Sequence, residues 1–291
     1  MTSALTDIIP LDWPLWSKSK PVLIRPLLGG LTNKSWLISA DNTVMVLRQN
    51  SPISSALNLD RVTEAQVLKL ADRAGLCAPL IHYDADYKYM VGYFVSGQHW
   101  RADAAGLTSL AYLLRSIHGL AAVDGYLDIN EKAASYWRAI SSDAEFAADL
   151  ENLAEDVASH IQDAKALSAG SCLCHNDLLL ENLVAADDGG LYAIDWEYSA
   201  MGDAFYELAV IVEGHGLNEQ QQRLLLTEYL QRPLTSDDWR RLYHWRVIYA
   251  YLTVLWYAVQ WSSGVMASAK TANDIVQQIC ALRTLMKIEP I

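Results

Sequence analysis

Residues 173 to 198 constrain the fold of this 291-residue chain more than any other stretch. Two short apolar runs, Asn182 to Ala186 and Leu191 to Ile194, flank Asp187-Asp188-Gly189-Gly190, the pattern of a hairpin closed by a glycine turn. His175 and Asp177 precede the first run; Asp195 and Glu197 follow the second. Pairing of the two strands brings Asp195 back beside Asn182, and Asp177 lies five positions before Asn182 across a loop. Such side chains meet only in a folded hairpin, and their oxygens suit a hard cation such as Mg²⁺. Phosphoryl transfer from ATP asks for this set: a carboxylate to orient or deprotonate the nucleophile, and oxygen ligands that hold Mg²⁺ on the phosphates. A lone His-x-Asp is an ordinary turn. The ordered combination around one hairpin is not.

The rest of the chain divides by pattern. Val22 to Leu27, Ser35 to Ala40 and Thr43 to Leu47 read as strands, with Asp41-Asn42 as a hairpin turn between the last two. Leu59 to Ala74 reads as a helix with Val62, Ala65, Leu68 and Ala71 inward and Gly75 as its stop. Two more strands follow, Leu80 to Tyr83 and Tyr89 to Phe94. After Gly97 the pattern turns helical, apart from the embedded hairpin. The expectation is an α+β chain of two lobes, a small β-rich one over residues 1–95 and a larger, mostly helical one over 96–291. Val247 to Ala269 carries no formal charge, but its strongly apolar part ends at Val259, short of the roughly 20 residues a bilayer requires. A buried helix is expected there.

The formal net charge of −12 disfavours nucleic acid and anionic membranes as partners. The first residues show no basic region followed by an apolar core, so a cytoplasmic location is expected. The four cysteines make no disulfide framework. Cys172 and Cys174, one residue apart on a strand, are expected to face opposite ways and to bind no zinc.

With these residues in view, the chain resembles the aminoglycoside phosphotransferase and choline/ethanolamine kinase superfamily, which has the protein-kinase-like two-lobed fold. The likeness covers nearly the whole chain. Gly29-Gly30-Leu31-Thr32-Asn33 is similar to that family's phosphate-covering turn, and Val46-Leu47-Arg48 to the strand whose cation contacts ATP. Glu64 stands where the partner of that cation is expected. Leu113 to His118 and Gly202 to Ala209 resemble two further family segments. The resemblance implies Asp177 as catalytic base with His175 beside it, bracing the loop. It implies Asn182 and Asp195 as Mg²⁺ ligands, and Gly30, Asn33, Arg48 and Glu64 around ATP. Glu197 is implied as a metal or substrate contact.

For the acceptor, Trp245, Tyr249 and Trp256 fall on one helical face. With Trp196, Tyr198, Glu197 and Glu207 they form an expected aromatic and acidic site for a cationic alcohol, through cation–π attraction. The segment from Trp245 to Trp261 resembles the C-terminal helix of choline kinases and bacterial thiamine kinases. Leu179 stands where choline kinases tend to carry glutamine, Glu207 where they carry aspartate, and Glu213 is one residue out of step with their substrate glutamate. Trp196-Glu197-Tyr198 is similar to the thiamine-kinase form. The resemblance thus implies an ATP- and Mg²⁺-dependent kinase of thiamine, choline or a like alcohol. Its rivals are an aminoglycoside phosphotransferase and a catalytically silent, ligand-binding pseudokinase.

Overall fold

The structure is a computed structural model, and it describes residues 8–28, 32–51 and 57–288. Its first part is a five-stranded antiparallel sheet in the order β1-β2-β3-β5-β4, made of β1 (Val22–Leu27), β2 (Lys34–Ala40), β3 (Thr43–Gln49), β4 (Leu80–Tyr83) and β5 (Tyr89–Tyr93). Asp41 and Asn42 turn β2 into β3 with φ of 52° and 62°. Two consecutive left-handed residues match the twist of the flanking strands, and Asp and Asn are the side chains that tolerate this best. Ile38, Met45, Leu47, Tyr89 and Val91 close a small core on one face of the sheet.

Helix α1 (Arg61–Arg73) is started by Asp60, whose carboxylate accepts from Val62 N and Thr63 N. Its inner face is Glu64, Val67, Leu68 and Ala71, while Val62 is exposed. Spacing by three falls behind the helical turn by about 60° per step, so Val62 ends opposite Ala71. Of the four spaced positions, Ala65, Leu68 and Ala71 are buried and Val62 is not.

The chain leaves the first sheet at Tyr93 and enters a second at Gly97. There β6 (Gly97–His99), β8 (Leu183–Ala186) and β9 (Leu191–Ala193) pair antiparallel, in the order β6-β8-β9. Between them in sequence come α2 (Ala104–His118), α3 (Ile129–Ala139), α4 (Ala147–Ala166) and β7 (Cys172–Cys174). After them come β10 (Ala200–Gly202), α5 (Ala204–Gly214), α6 (Glu219–Leu230), α7 (Ser236–Ser262) and α8 (Ala269–Leu285), with β10 paired to β7. Every residue of α5 from Phe205 to Val212 is buried. A helix apolar all round belongs inside, and α5 packs against α7 and β7.

Helix α7 contains the apolar part of the uncharged segment, Val247 to Val259, and also packs on α3, α4 and α8. Among the described residues no helix is long and apolar enough to cross a membrane. Its start is a capping box in which Thr235 and Asp238 bond each other's backbone amides, with Arg232 clamped on Asp238 at 2.7 Å through both nitrogens. One expectation about β7 fails. The Cys172 and Cys174 sulfurs do not diverge, because residues two positions apart on a strand point to the same face; they lie 3.7 Å apart, with Cys174 Sγ also 3.6 Å from the Cys172 carbonyl.

Candidate active site

Strand β7 delivers the chain into the loop His175 to Asn182, and the backbone of that loop is held from below. Asn176 adopts φ 66°, its N–H donates to Glu207 Oε1 at 2.8 Å, and its side-chain amide donates to the Tyr198 carbonyl at 3.0 Å. His215 Nε2 donates to the Leu178 carbonyl at 2.9 Å. The loop closes in a 3₁₀ turn, Leu180–Asn182, from which β8 starts. The hairpin then returns, and Ile194 N donates to the Asn182 carbonyl at 2.9 Å. That bond sets Asp195 beside Asn182.

Asn182 Nδ2 donates to the Asp177 carboxylate and to its carbonyl, both at 2.8 Å. Asp177, Asn182, Asp195 and Glu197 all line one cavity of about 520 Å³. Asp195 has φ 62°, a left-handed residue directly after the hairpin. Side chains alternate on either side of it: Asp195 and Glu197 face the cavity, while Trp196 between them is only 1% exposed and packs in the core.

The acids meet a row of cations from the first sheet and α1. Arg48 on β3 bonds Glu64, reaches Asp195 Oδ1 at 2.6 Å, and touches Asn50 at 3.0 Å. Arg61 bonds Glu64 at 2.7 Å and Glu197 at 3.0 Å. Asn33 donates to Glu197 at 2.8 Å and accepts from Ser51 N and Arg61. Burial by itself raises a carboxyl, but at Glu64 the two guanidiniums override it and hold the group below its usual range. Glu197 goes the other way, pushed up to about 7 by burial and by the Asp195 charge against the pull of Arg48 and Arg61. Asp177 is raised well above the usual carboxylate range by burial and by Asp195 and Glu197. Asp177 and Glu197, raised in this way beside the Asp195 carboxylate, are short of positive charge, which is the electrostatic condition a divalent cation satisfies. The donor set of carboxylate and amide oxygens suits Mg²⁺.

The far wall is aromatic: Tyr136 on α3, Tyr198, Tyr206 on α5, and Tyr249, Trp256 and Tyr257 on α7. Trp256 Nε1 donates to the Tyr198 hydroxyl at 2.9 Å. One cation already stands in this wall. Lys132 is buried, with Nζ donating to the Leu57 and Asn58 carbonyls at 2.7 and 3.1 Å. Its ammonium lies 4.9 Å from the Tyr198 ring centre and 5.2 Å from that of Tyr136. Burial pulls it down to about 7.

The expected positions therefore divide. Asp177, Asn182, Asp195, Glu197, Tyr198 and Trp256 converge on the cavity, and Arg48, Glu64 and Asn33 form its cationic and polar flank. Gly30 lies outside the described residues. His175, Trp196, Glu207 and Trp245 do not line the cavity, and the expected acceptor contact of Trp196, Glu207 and Trp245 is corrected. His175 is fully buried, donates to the Ile194 carbonyl at 3.1 Å and lies against the Trp196 ring at a tilt of 56°, holding the loop and not touching the cavity. Glu207 is spent on Asn176 N and on His118 Nε2, 2.6 Å away. Asp203, at the start of the same helix, is taken by Arg241 and Ser168. Trp245 shares the azimuth of Trp256 but sits about 16 Å lower along the helix, at 1.5 Å per residue; it packs on Tyr206 instead. Sequence reasoning missed Lys132, Tyr136 and Arg61. Lys132 and Tyr136 are one helical turn apart and so share a face of α3. Arg61 lies three residues before Glu64, with its side chain only 10% exposed.

Comparison with known proteins follows the same line. Residues 23–245, more than half of the chain, match the family described as "Phosphotransferase enzyme family". The chain belongs to the phosphotransferase enzyme family. Among relatives, the chain is 37% identical over 84 residues to a LicA homologue of Metamycoplasma hominis, covering 28% of this chain and 31% of that protein. It is 32% identical over 109 residues to the thiamine kinase of Shigella boydii, covering 36% and 38%. In these two alignments the chain spans about a third of the length of the relatives it matches. The structure of choline kinase LicA from Streptococcus pneumoniae superposes with a TM-score of 0.76 at 21% identity, over 89% of this chain and 95% of that one. This phosphotransferase family member thus shares its α+β fold with a choline kinase.

Proposed function

We propose that the chain is an ATP- and Mg²⁺-dependent kinase that phosphorylates a hydroxyl of a small cationic alcohol, of which thiamine and choline are the leading examples. The observation that carries the reading is the shared cavity, lined by Asp177, Asn182 and Asp195 together with six aromatic residues. In this reading the Asp177 carboxylate, fixed by the Asn182 amide, accepts the proton of the acceptor hydroxyl. Because that amide nitrogen is committed to Asp177, the Asn182 oxygen is the atom that serves a cation, together with Asp195. Mg²⁺, when bound, neutralises charge on the transferring phosphoryl group. Arg48, held by Glu64, orients the phosphates, and Asn33 lies on the same nucleotide side. Glu197 stands between metal and acceptor, with Tyr198 and Trp256 on the acceptor side.

Aromatic faces attract an organic cation most strongly where water is excluded, which favours a thiamine- or choline-type acceptor over an aminoglycoside. The alignments to a LicA homologue and to a thiamine kinase support the same class. A cytoplasmic setting accords with cysteines that are all free. The deciding experiment is an ATP-consumption screen with Mg²⁺ over thiamine, choline, ethanolamine, aminoglycosides and sugar alcohols. Turnover on a cationic alcohol is expected; turnover on aminoglycosides alone, or a melting temperature unmoved by Mg-ATP, overturns the reading.

A further inference from the structure

Beneath the catalytic loop, outside the cavity, lies a second cluster with a different chemistry. The two sulfurs of Cys172 and Cys174 on β7 and a ring nitrogen of His118, the last residue of α2, all lie within 4.8 Å of one another. We propose that Cys172, Cys174 and His118 form a site for a thiophilic divalent cation, Zn²⁺ by its chemistry, which pins β7 to the end of α2 directly under the loop that carries Asp177.

Two observations support the site. The sulfur separation of 3.7 Å is far from the ~2 Å of a disulfide. It equals the edge of a tetrahedron with metal–sulfur bonds of about 2.3 Å, which places sulfurs about 3.8 Å apart. A cation therefore enters without moving the backbone of β7, whereas a disulfide requires the strand to contract. Second, the ring of His118 is already oriented by oxygen partners: Glu207 Oε2 at 2.6 Å from Nε2 and the Tyr229 hydroxyl at 2.7 Å from Nδ1. Whichever nitrogen turns to the cation, the other keeps an oxygen partner, the arrangement that fixes ligating histidines in metal sites.

The site is soft where the cavity is hard. Sulfur and imidazole select Zn²⁺ or Co²⁺, and carboxylate and amide oxygens select Mg²⁺, so the two ions do not compete. Its mechanical consequence runs through Glu207, which holds both His118 and the N–H of Asn176, the residue before Asp177.

The test is titration of the reduced, metal-free full chain with Zn²⁺ against a chromophoric chelator, and with Co²⁺ by absorption, in millimolar Mg²⁺. The expected result is one equivalent of Zn²⁺, a thiolate-to-cobalt charge-transfer band with tetrahedral d–d absorption, and no displacement by Mg²⁺. Loss of an outer partner of a metal site already costs 10- to 100-fold in affinity; loss of a ligand in Cys172→Ser, at the half-exposed sulfur, should cost at least about 100-fold and abolish the band. His118→Asn provides the second variant, with circular dichroism reporting its fold. Absence of stoichiometric binding in the wild type, or binding unchanged in Cys172→Ser, overturns the proposal. The outcome is independent of which alcohol the enzyme phosphorylates.

Discussion

The Asn182 amide holds Asp177 at two points, carboxylate and carbonyl, each 2.8 Å away. One side chain thereby fixes both the position of the proposed base and the loop that carries it. Asp177→Asn should lower kcat by about 10²- to 10⁴-fold, the usual worth of a general base, and leave ATP affinity within a few-fold; steady-state kinetics and nucleotide titration check both. Without a cation, burial and the charges of Asp195 and Glu197 raise Asp177. A bound Mg²⁺ opposes that rise, so the acidic limb of the rate profile should move to lower pH as Mg²⁺ increases.

Glu64 is the anchor of the cationic flank, fully buried between Arg48 and Arg61 with the Tyr83 hydroxyl donating at 3.0 Å. Removing one member of a buried ion group leaves charge uncompensated, at a cost of about 3–5 kcal/mol. Glu64→Ala should lose stability of that order in denaturant unfolding, and Glu64→Gln, which keeps an oxygen acceptor, should lose less.

Lys132 occupies ring faces that a cationic acceptor would otherwise use. Lys132→Gln keeps a donor for the Leu57 and Asn58 carbonyls while removing the charge. The KM for a cationic alcohol should then fall several-fold, in line with about 1–2 kcal/mol for one desolvated cation–π contact. Stability gives an independent check. The folded lysine releases its proton near pH 7, against 10.5 for the ordinary group. Between those values the unfolded chain binds more protons, so stability rises with pH. That contribution to the rise should be missing from Lys132→Gln in unfolding measured at pH 7 and pH 10.

Two tryptophans on α7 separate binding from folding. Trp256 lines the cavity and Trp245 does not. Trp256→Leu should raise the acceptor KM several-fold with a small change in melting temperature. Trp245→Leu, at a position 6% exposed, should do the reverse and destabilise by about 2–4 kcal/mol.

The hairpin and its acids were legible because each relation was local: a turn, two strands of matched length, and a residue five positions upstream. The strands of the first sheet were legible for the same reason, with Asp41-Asn42 announcing their turn. What sequence spacing did not reveal was depth along an element and direction off a loop. Trp245 and Trp256 share an azimuth and differ in height. Glu207 looked like a substrate acid and is a brace. The Cys172 and Cys174 side chains share a face, as strand alternation requires of residues two positions apart. Lys132 and Tyr136 gave no signal, since a helical Lys and Tyr a turn apart are ordinary until a cavity is known to face them.

The order acid, indole, acid at Asp195-Trp196-Glu197 makes this corner intolerant of any change in its length. Removing or adding a single residue there would reverse the phase, turning the indole outward into the cleft and driving carboxylates into a layer of aliphatic side chains. Kinetic tuning of this enzyme is thus confined to exchanging one side chain for another at these three places, and insertions that alter its acceptor must enter elsewhere, in segments where no inside-outside beat has to be kept.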